Sequence, residues 1–203
     1  LAKELELSVP TVTKLVSEMC EKGILHDNGK LETAGGRHPS LYGLNPNSGY
    51  FLGVDIKHNA VSIGLIDFKG EMVKQMSNVP YKQENTTESL DALCMLITDF
   101  IKHSGIDEEK ILNICFNISG RVNPHSGHSY SKFFSSEQPL SEILSEKLDH
   151  RVCIDNDTRS MAYGEFMRGC VKGEKDILFV NISWGIGVSI IIDGKLYKGK
   201  SGF

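Results

Sequence analysis

The first forty residues show the apolar spacing of one amphipathic helix. Its apolar side chains, three or four residues apart, are Val12, Leu15, Val16 and Met19. This spacing predicts a helix that buries this face, with Ser8 as its N-cap, Pro10 in its first turn and Gly23 at its end. A shorter helix is predicted before it, over Leu1 to Glu6.

A hairpin is predicted to follow the helix. Ile24 to His26 and Lys30 to Thr33 can pair as strands around Asp27-Asn28-Gly29, since Asn-Gly is a strong signal for a hairpin turn. The order helix, turn, helix and hairpin is that of a winged helix-turn-helix. Ala34 to Ser40 is interpreted as a flexible basic arm that contains Arg37.

After residue 50 the pattern changes to short apolar runs that alternate with amphipathic helices. The predicted strands are 51–56, 60–67, 71–79, 111–117, 152–154, 177–183 and 187–192, and the predicted helices are 87–102, 140–148 and 158–167. Helices alternating with strands after an opening run of strands predict an α/β domain. We therefore expect two domains, a DNA-binding domain at 1–40 and an α/β lobe at 41–203.

Composition restricts the class of protein. The chain has 203 residues, of which 40% are hydrophobic and 24% charged, as is ordinary for a globular protein. A net charge of −4 argues against a generally polybasic protein but leaves room for a local DNA-binding face. No apolar run reaches the roughly 20 residues that cross a bilayer, and charged residues interrupt the first segment where a signal peptide would lie. A cytoplasmic protein without membrane association is expected.

The cysteines carry no metal-binding spacing. The five are Cys20, Cys94, Cys115, Cys153 and Cys170, and no two of them form a CxxC pair. Scattered cysteines in an odd number indicate reduced thiols, which we expect in the core. A catalytic cysteine is the less favoured alternative, because no flanking pattern supports it, and no metal site is predicted.

The polar side of the first amphipathic helix is a candidate DNA-reading surface. The candidate residues are Ser8, Pro10, Thr11, Thr13, Lys14, Ser17 and, in the basic arm, Arg37. Hydroxyls can bond to bases or phosphates, a lysine can meet a phosphate, and an arginine arm can enter a minor groove. The alternative is the solvated face of an ordinary helical hairpin. Residues 1–50 hold five Lys/Arg and six Asp/Glu, so DNA affinity would need dimerisation to add half-sites.

Four stretches after the linker resemble, in order, the motifs of the ROK family of bacterial sugar-responsive repressors and sugar kinases. They are GVDIKHNAVSIGLIDFKGEMV (53–73), NISGRVNPHSG (117–127), IDNDTRSMAYGE (154–165) and SWGIGVSIIIDGKLYKGKSGF (183–203). The resemblance implies an actin-like, ribonuclease H-like sugar-kinase lobe behind the winged helix, as in xylose-type and N-acetylglucosamine-type repressors. It also implies a further helix before Leu1, and a zinc site and a second lobe after Phe203. Any structural zinc is therefore expected outside this chain, and no cofactor is predicted within it.

Two loops distinguish a regulator from a kinase. The first phosphate loop of the family's kinases reads Asp-Ile-Gly-Gly-Thr-Lys, whereas Asp55-Ile56 is followed here by Lys57-His58-Asn59-Ala60. The second reads Gly-Thr-Gly-Ile-Gly in kinases and Ser183-Trp184-Gly185-Ile186-Gly187 here. The first loop here lacks both glycines and the threonine, and the second has Trp184 in place of its threonine, so the space for a phosphate and the close backbone approach to it are lost. A protein without enzymatic activity is favoured, and a working ATP-dependent sugar kinase with drifted loops is the alternative.

The resemblance also implies a sugar site. Its residues are Ser119, Gly120, Arg121, Asn156 and Asp157, with Asp157 at the position of the kinases' general base. An amide beside a carboxylate suits vicinal hydroxyls. The alternative is that Asp155-Asn156-Asp157 only caps the following helix. Trp184 is expected near the pocket. Phe133-Phe134 departs from the family pattern, which leaves open a lobe that binds a protein partner instead.

These observations favour a transcriptional regulator of carbohydrate genes, in its simplest form a repressor. It would bind operator DNA as a homodimer or homotetramer and respond to a sugar or sugar phosphate. Ligand bound between two lobes would change their closure and shift the spacing of the DNA readers, through its different affinity for the two states.

Overall fold

A computed structural model describes residues 1–31, 39–131 and 133–200 of the chain. Arg37 and most of the predicted basic arm lie outside the described residues. The described elements begin with one helix and a strand pair, and continue into an α/β domain. No helix in the described ranges is long and apolar enough to cross a membrane.

The first amphipathic helix is present, but its apolar face is only partly covered. Helix α1 spans Val9–Glu21, with the Ser8 hydroxyl accepting from the Thr11 N–H at the N-cap. Leu15 and Met19, predicted to be buried, remain 44% and 36% exposed. The prediction is wrong for these two side chains, because the main packing partner of α1 among the described residues is the strand that follows it.

The residues before α1 form a turn, so the helix predicted over Leu1 to Glu6 is wrong. The Leu5 N–H donates to the Leu1 carbonyl and the Leu7 N–H to that of Ala2. Glu6 has a φ of 54°, in the left-handed region, which ends any helical run at that point.

The predicted hairpin turn at Asp27-Asn28-Gly29 is also wrong. Strand β1, Leu25–Lys30, runs through these residues and pairs antiparallel with β2, Ser40–Leu44. Gly29 has a φ of 88° and donates its N–H to Asp27 Oδ1, where the register of β1 shifts. The Asn-Gly pair therefore makes a kink within one strand, because this local bond gives the positive φ without reversing the chain.

The α/β domain is built on a five-stranded sheet of order β5-β4-β3-β6-β9. Its strands are β3 Tyr50–Ile56, β4 Ala60–Asp67, β5 Met72–Pro80, β6 Ile111–Ile118 and β9 Val152–Asn156. The first three form an antiparallel meander, and β6 and β9 run parallel to β3. The predicted strands are confirmed, with β9 two residues longer than expected.

Two helices cover one face of this sheet and a third lies on the other. Helix α2 spans Thr87–Lys102 and α3 spans Leu140–Leu148, as predicted, and both bury leucines in the core with β3 and β6. Helix α4, Asp157–Arg168, packs on the opposite face, where its Arg159 reaches Asp155 of β9. Short 3₁₀ helices lie at Pro46–Ser48 and Glu108–Lys110.

Two smaller sheets complete the described fold. Strands β7, Val122–Asn123, and β8, His128–Ser129, form a short hairpin after β6 that the sequence pattern did not predict. Strands β10 Ile177–Ile182, β11 Ile186–Ile192 and β12 Lys195–Leu196 form an antiparallel sheet against α4.

One face of the β10–β11 hairpin packs on α4 and the other is apolar and uncovered. A Cβ on Gly187 would lie 2.1 Å from Thr158 Oγ1, so this close approach of β11 to α4 requires glycine. The side chains of the other face are 39–79% exposed and comprise Leu178, Val180, Ile182, Ile186, Val188 and Ile190. Exposed apolar patches of this kind are typical of interaction surfaces.

Candidate ligand-binding site

The carboxyl ends of three parallel strands bring the polar candidates together. Strands β3, β6 and β9 end side by side, with Ile56 opposite Ile118 and Ile118 opposite Asn156. Open α/β sheets gather ligands at this edge. Asp55 lies at the end of β3, and Asp157 follows β9 directly.

Asn156 connects the start of α4 to the loop after β6. Its Oδ1 accepts from the Arg159 N–H at 3.1 Å, as an N-cap does, and its Nδ2 donates to the Gly120 carbonyl at 3.0 Å. Asn156 therefore caps α4, a role that is compatible with ligand binding, and the same side chain also fixes the position of Gly120.

Asp157 and Ser119 form a second link between the same two segments. The Ser119 hydroxyl donates to Asp157 Oδ2, while Asp157 Oδ1 accepts from the Thr158 N–H at 2.7 Å. Both carboxylate oxygens are thus engaged at the helix N-terminus, where the dipole favours negative charge.

Asp55 is a perturbed carboxylate at the same edge. Burial raises its pKa above the ordinary value, the Lys57 ammonium opposes this, and the negative charge of Asp157 raises it again. Lys57 Nζ lies 3.7 Å from Asp55 Oδ2 and 3.4 Å from Asn78 Oδ1. A lysine side chain therefore occupies the first loop beside Asp55.

A cavity of about 330 Å³ opens between the start of α4 and the β11–β12 hairpin. Its lining consists of Gly120, Asn156, Thr158, Arg159, Gly187, Val188, Ser189, Ile190, Tyr197, Lys198 and Gly199. Of the five predicted sugar-binding residues, Gly120 and Asn156 line it. Ser119 and Asp157 are bonded to each other outside this lining, and Arg121 is exposed, with its N–H donating to Ser131 Oγ at 2.8 Å.

Arg159 is a buried residue of the site that the sequence reasoning missed. Its Nη2 lies 2.5 Å from Asp155 Oδ1, and the same nitrogen donates to the Val122 carbonyl at 2.9 Å. Its side chain fixes both β9 and the segment after Arg121. The one signal in the sequence for this ion pair is the spacing of Asp155 and Arg159, an acidic and a basic residue four positions apart.

The two departures from the kinase loops meet in space. The His58 and Trp184 rings lie 5.9 Å apart between centroids, tilted by 56°. Trp184 is 88% exposed and does not line the cavity, whose wall on this hairpin begins at Gly187. Trp184 was expected near the pocket. In the structure it lies beside His58 of the first loop and outside the lining of the cavity.

Phe133 and Phe134 are packing residues. Phe133 is completely buried in the core, and the partly buried Phe134 packs against the same core. Phe133 therefore offers no exposed apolar surface, and Phe134 offers only part of its ring.

The candidate DNA-reading residues share the exposed side of α1. Ser8 and Thr11 hydroxyls bond to each other at 2.7 Å, and the Thr13 hydroxyl donates to the Val9 carbonyl at 2.9 Å. Lys14 lies 3.9 Å from Glu18 in an exposed pair. Pro10 and Ser17 are also exposed, and Arg37 lies outside the described residues.

The cysteines occupy varied surroundings. Cys94 is buried, which raises the pKa of its thiol to about 11, whereas Cys170 is exposed. The other three are half-buried, so the expectation of core cysteines is correct for Cys94 and wrong for Cys170. Within the described ranges, no three His, Cys, Asp or Glu side chains are grouped to hold a metal ion.

The chain resembles known proteins over its whole length. Residues 51–203 match the ROK family. The xylose repressor of Caldicellulosiruptor bescii is 29% identical and covers all of this chain, which spans 51% of that repressor. The DNA-binding transcriptional dual regulator NagC of Escherichia coli is 24% identical and also covers all of this chain, which spans 50% of NagC. The chain thus spans about half the length of these relatives.

Solved structures share the fold. A ROK family transcriptional regulator, a homolog of the Escherichia coli MLC protein, superposes with a TM-score of 0.77 at 20% identity, over 99% of this chain and 51% of its own. A ROK family glucokinase from Streptomyces griseus, in complex with glucose and AMPPNP, superposes with a TM-score of 0.65 at 24% identity, over 76% of this chain and 48% of its own.

The raised pKa of Asp55 generates a pH prediction. The folded state holds the Asp55 proton more tightly than the unfolded state, so this residue lowers stability as pH rises from below 3.8 through its folded pKa. We expect Asp55→Asn to raise the free energy of unfolding at neutral pH, with the gain vanishing at acidic pH.

Urea unfolding of the full-length protein across this pH range measures the effect. Asp99→Asn, at an exposed position of α2, is the matched control and should not raise the free energy of unfolding at neutral pH. A gain from Asp55→Asn that is equal at all pH values would contradict the assignment of the buried carboxylate.

Proposed function

We propose that this chain, which belongs to the ROK family, is part of a sugar-responsive transcriptional repressor. The main support is that relatives named as repressors match the chain from end to end. Their match includes residues 1–50, which precede the match to the family at 51–203. The geometry of the strand-end site is compatible with a polyol ligand, which a sugar-responsive regulator requires.

Residues 1–40 are proposed to form a winged helix-turn-helix that reads operator DNA. Helix α1 is the proposed reading helix, and strand β1, which pairs with β2 at the boundary of the two domains, is proposed as part of the wing. The superposed regulator covers 99% of this chain and the glucokinase 76%, a difference about as large as the segment before Tyr50. The exposed hydroxyls and Lys14 on α1 are the proposed contacts, with Arg37 in the adjoining arm.

Residues 41–203 are proposed to be one lobe of an actin-like, ribonuclease H-like fold. An antiparallel meander followed by two parallel strands, with helices on both faces, is the described arrangement. The uncovered apolar face of β10–β11 supports a second lobe, since relatives of twice the length have the chain to cover it.

The effector is proposed to bind in the cavity between α4 and β11. Gly120 and Asn156 lie in its wall, where an amide can exchange hydrogen bonds with sugar hydroxyls. Ser119 and Asp157, linked to each other at the same helix start, are proposed to reach the ligand when the lobes close, as is Arg121 from outside the cavity.

The protein is proposed to act without enzymatic turnover. The Lys57 ammonium lies beside Asp55, and His58 and Trp184 meet at the tips of the two loops that contact phosphates in the family's kinases. Lys57 and His58 replace the two glycines that permit close phosphate approach, and Trp184 replaces the threonine of the second loop. A lobe that binds only a protein partner is disfavoured, because Phe133 is buried and Phe134 packs on the core.

Ligand control of DNA binding is proposed to work through lobe closure in a symmetric oligomer. Closure over the cavity would move the two DNA readers of a dimer relative to the spacing of their half-sites. Such a ligand shifts the equilibrium by no more than its difference in affinity for the open and closed states.

DNA binding by α1 can be tested with paired substitutions in the full-length protein. Lys14→Ala should weaken binding to all duplexes and lower the salt slope by about 1, as expected for a phosphate contact. Ser17→Ala should instead relax base preference, by roughly 1–3 kcal/mol at a contacted base. Fluorescence anisotropy against selected and random duplexes measures both.

This test has one matched control, and one candidate position is left unchanged. Lys102→Ala, at the end of α2, is the matched control and should bind DNA normally. Ser8 is avoided, since its loss removes the helix cap and costs about 1 kcal/mol of stability. Normal salt dependence and base preference in both α1 variants would remove this helix from the interface.

The role of Asn156 can be separated from its capping role. Asn156→Ala removes both the cap and the amide, whereas Asn156→Ser retains a capping oxygen and loses the amide donor to Gly120. Both variants should still bind operator DNA but release it poorly when the effector sugar is added. If Asn156→Ser responds to the sugar as the parent does, the amide does not contact the ligand.

Absence of kinase chemistry is a third expected outcome. The full-length protein, supplied with magnesium, ATP and a panel of monosaccharides, should show no sugar-dependent ADP release, because its first loop lacks the phosphate-binding glycines and Trp184 replaces the threonine of the second. A family sugar kinase assayed in parallel is the positive control. Sugar-dependent turnover that is lost in Asp157→Asn would show instead that the chain belongs to an enzyme.

A further inference from the structure

The cavity beside α4 holds a buried hydroxyl that lacks a partner. Ser189 is 4% exposed and lines the cavity, and its Oγ has no hydrogen-bond partner among the residues that the structure describes. Buried hydroxyls are almost always hydrogen-bonded, to protein or to a bound molecule. The unused hydroxyl of Ser189 therefore points to a ligand with a polar group on the β11 side.

The charges around the cavity favour an anion. Arg159 and Lys198 are the charged residues of the described lining. Arg159 is compensated by Asp155 at 2.5 Å, whereas the half-buried Lys198 takes part in no ion pair within the described ranges. Asp157 does not belong to this lining. A positive charge without an ion-pair partner therefore remains in the β11–β12 segment, which also carries Ser189.

The two sides of the cavity differ in the groups they can recognise. Asn156 and Gly120 supply an amide and a backbone on the α4 side, which suit neutral hydroxyls. Ser189 and Lys198 supply a hydroxyl and an ammonium on the hairpin side, which suit the oxygens of a phosphate or carboxylate. A cavity of about 330 Å³ is at the small end of ligand sites and fits a single sugar residue with one such group.

We propose that the effector is a monosaccharide that carries an acidic group, and that Lys198 and Ser189 bind this group while Asn156 faces the sugar hydroxyls. The inference rests on the proposed function and narrows its ligand class. It makes Lys198 and Ser189 the residues that distinguish a sugar phosphate or sugar acid from the neutral sugar.

Calorimetric titration of the full-length protein tests this directly. The probes are glucose and N-acetylglucosamine, their terminal phosphate monoesters, glucuronate and inorganic phosphate. At least one acidic sugar should bind about tenfold or more tightly than its neutral parent, as a charge-assisted contact predicts. Glucuronate and the phosphate esters distinguish a carboxylate from a phosphate, and inorganic phosphate shows whether the sugar ring contributes.

Two substitutions and one control locate the recognition. Lys198→Gln should remove most of the preference for the acidic sugar over its neutral parent. Ser189→Ala should weaken the acidic sugar alone, by a smaller factor. Lys195→Gln, on the exposed strand β12 of the same hairpin and outside the lining, should leave every affinity unchanged.

DNA release, measured in parallel, separates this inference from the proposed function. Neutral sugars that bind and release DNA as well as acidic ones, with no effect of Lys198→Gln, would overturn this inference alone. Failure of every sugar to bind, with DNA binding intact, would overturn both this inference and the sugar response of the proposed repressor. Equal binding of inorganic phosphate and sugar phosphates would also overturn it, because the sugar side would then contribute nothing.

Discussion

The junction between β9 and α4 holds the candidate site together through one short run of residues. Asn156 caps α4 and bonds to Gly120, while Asp157 accepts from Ser119, so two side chains fix the loop after β6 against the helix start. Arg159 and Asp155 form an ion pair behind them, with Arg159 also reaching the Val122 carbonyl. A buried charge that loses its partner is strongly destabilising, typically by about 3–5 kcal/mol. The same residues therefore stabilise this junction and face the proposed ligand site. A substitution that tests a ligand contact must be compared with a second one that retains the helix cap or the charge.

Much of the α/β domain could be predicted from the sequence, because its elements are long and their apolar positions repeat regularly. Helices α2 and α3 have the predicted bounds, and both bury one leucine-rich stripe. The N-terminal segment was harder for physical reasons. Asn28-Gly29 can satisfy its positive φ within a strand through the Asp27 bond, so a local turn signal did not identify the partner strand. The apolar spacing of α1 likewise does not show whether another element covers Leu15 and Met19.

The candidate site was predictable on one side only. Asn156 and Gly120 follow parallel strands, and that placement is readable from alternating strands and helices. Ser189 and Lys198 reach the same cavity from a hairpin some thirty to forty residues later, which depends on how closely β11 approaches α4. Gly187 permits that approach at Thr158, but no local sequence pattern predicts that the two residues are in contact. The contact between His58 and Trp184 likewise depends on the tertiary fold. In the sequence, each residue is only a separate difference from the kinase motif of its own loop.

We propose that one ligand site and one DNA-reading helix belong to the same switch. Thermodynamic linkage requires that an effector and operator DNA change each other's affinity by the same factor. The direct measurement is calorimetric titration of the effector into the full-length protein, with and without saturating operator duplex, beside titration of the duplex with and without effector. A repressor relieved by its ligand should show both affinities lowered by one common factor. Effector binding that is unchanged by saturating operator DNA would contradict this account.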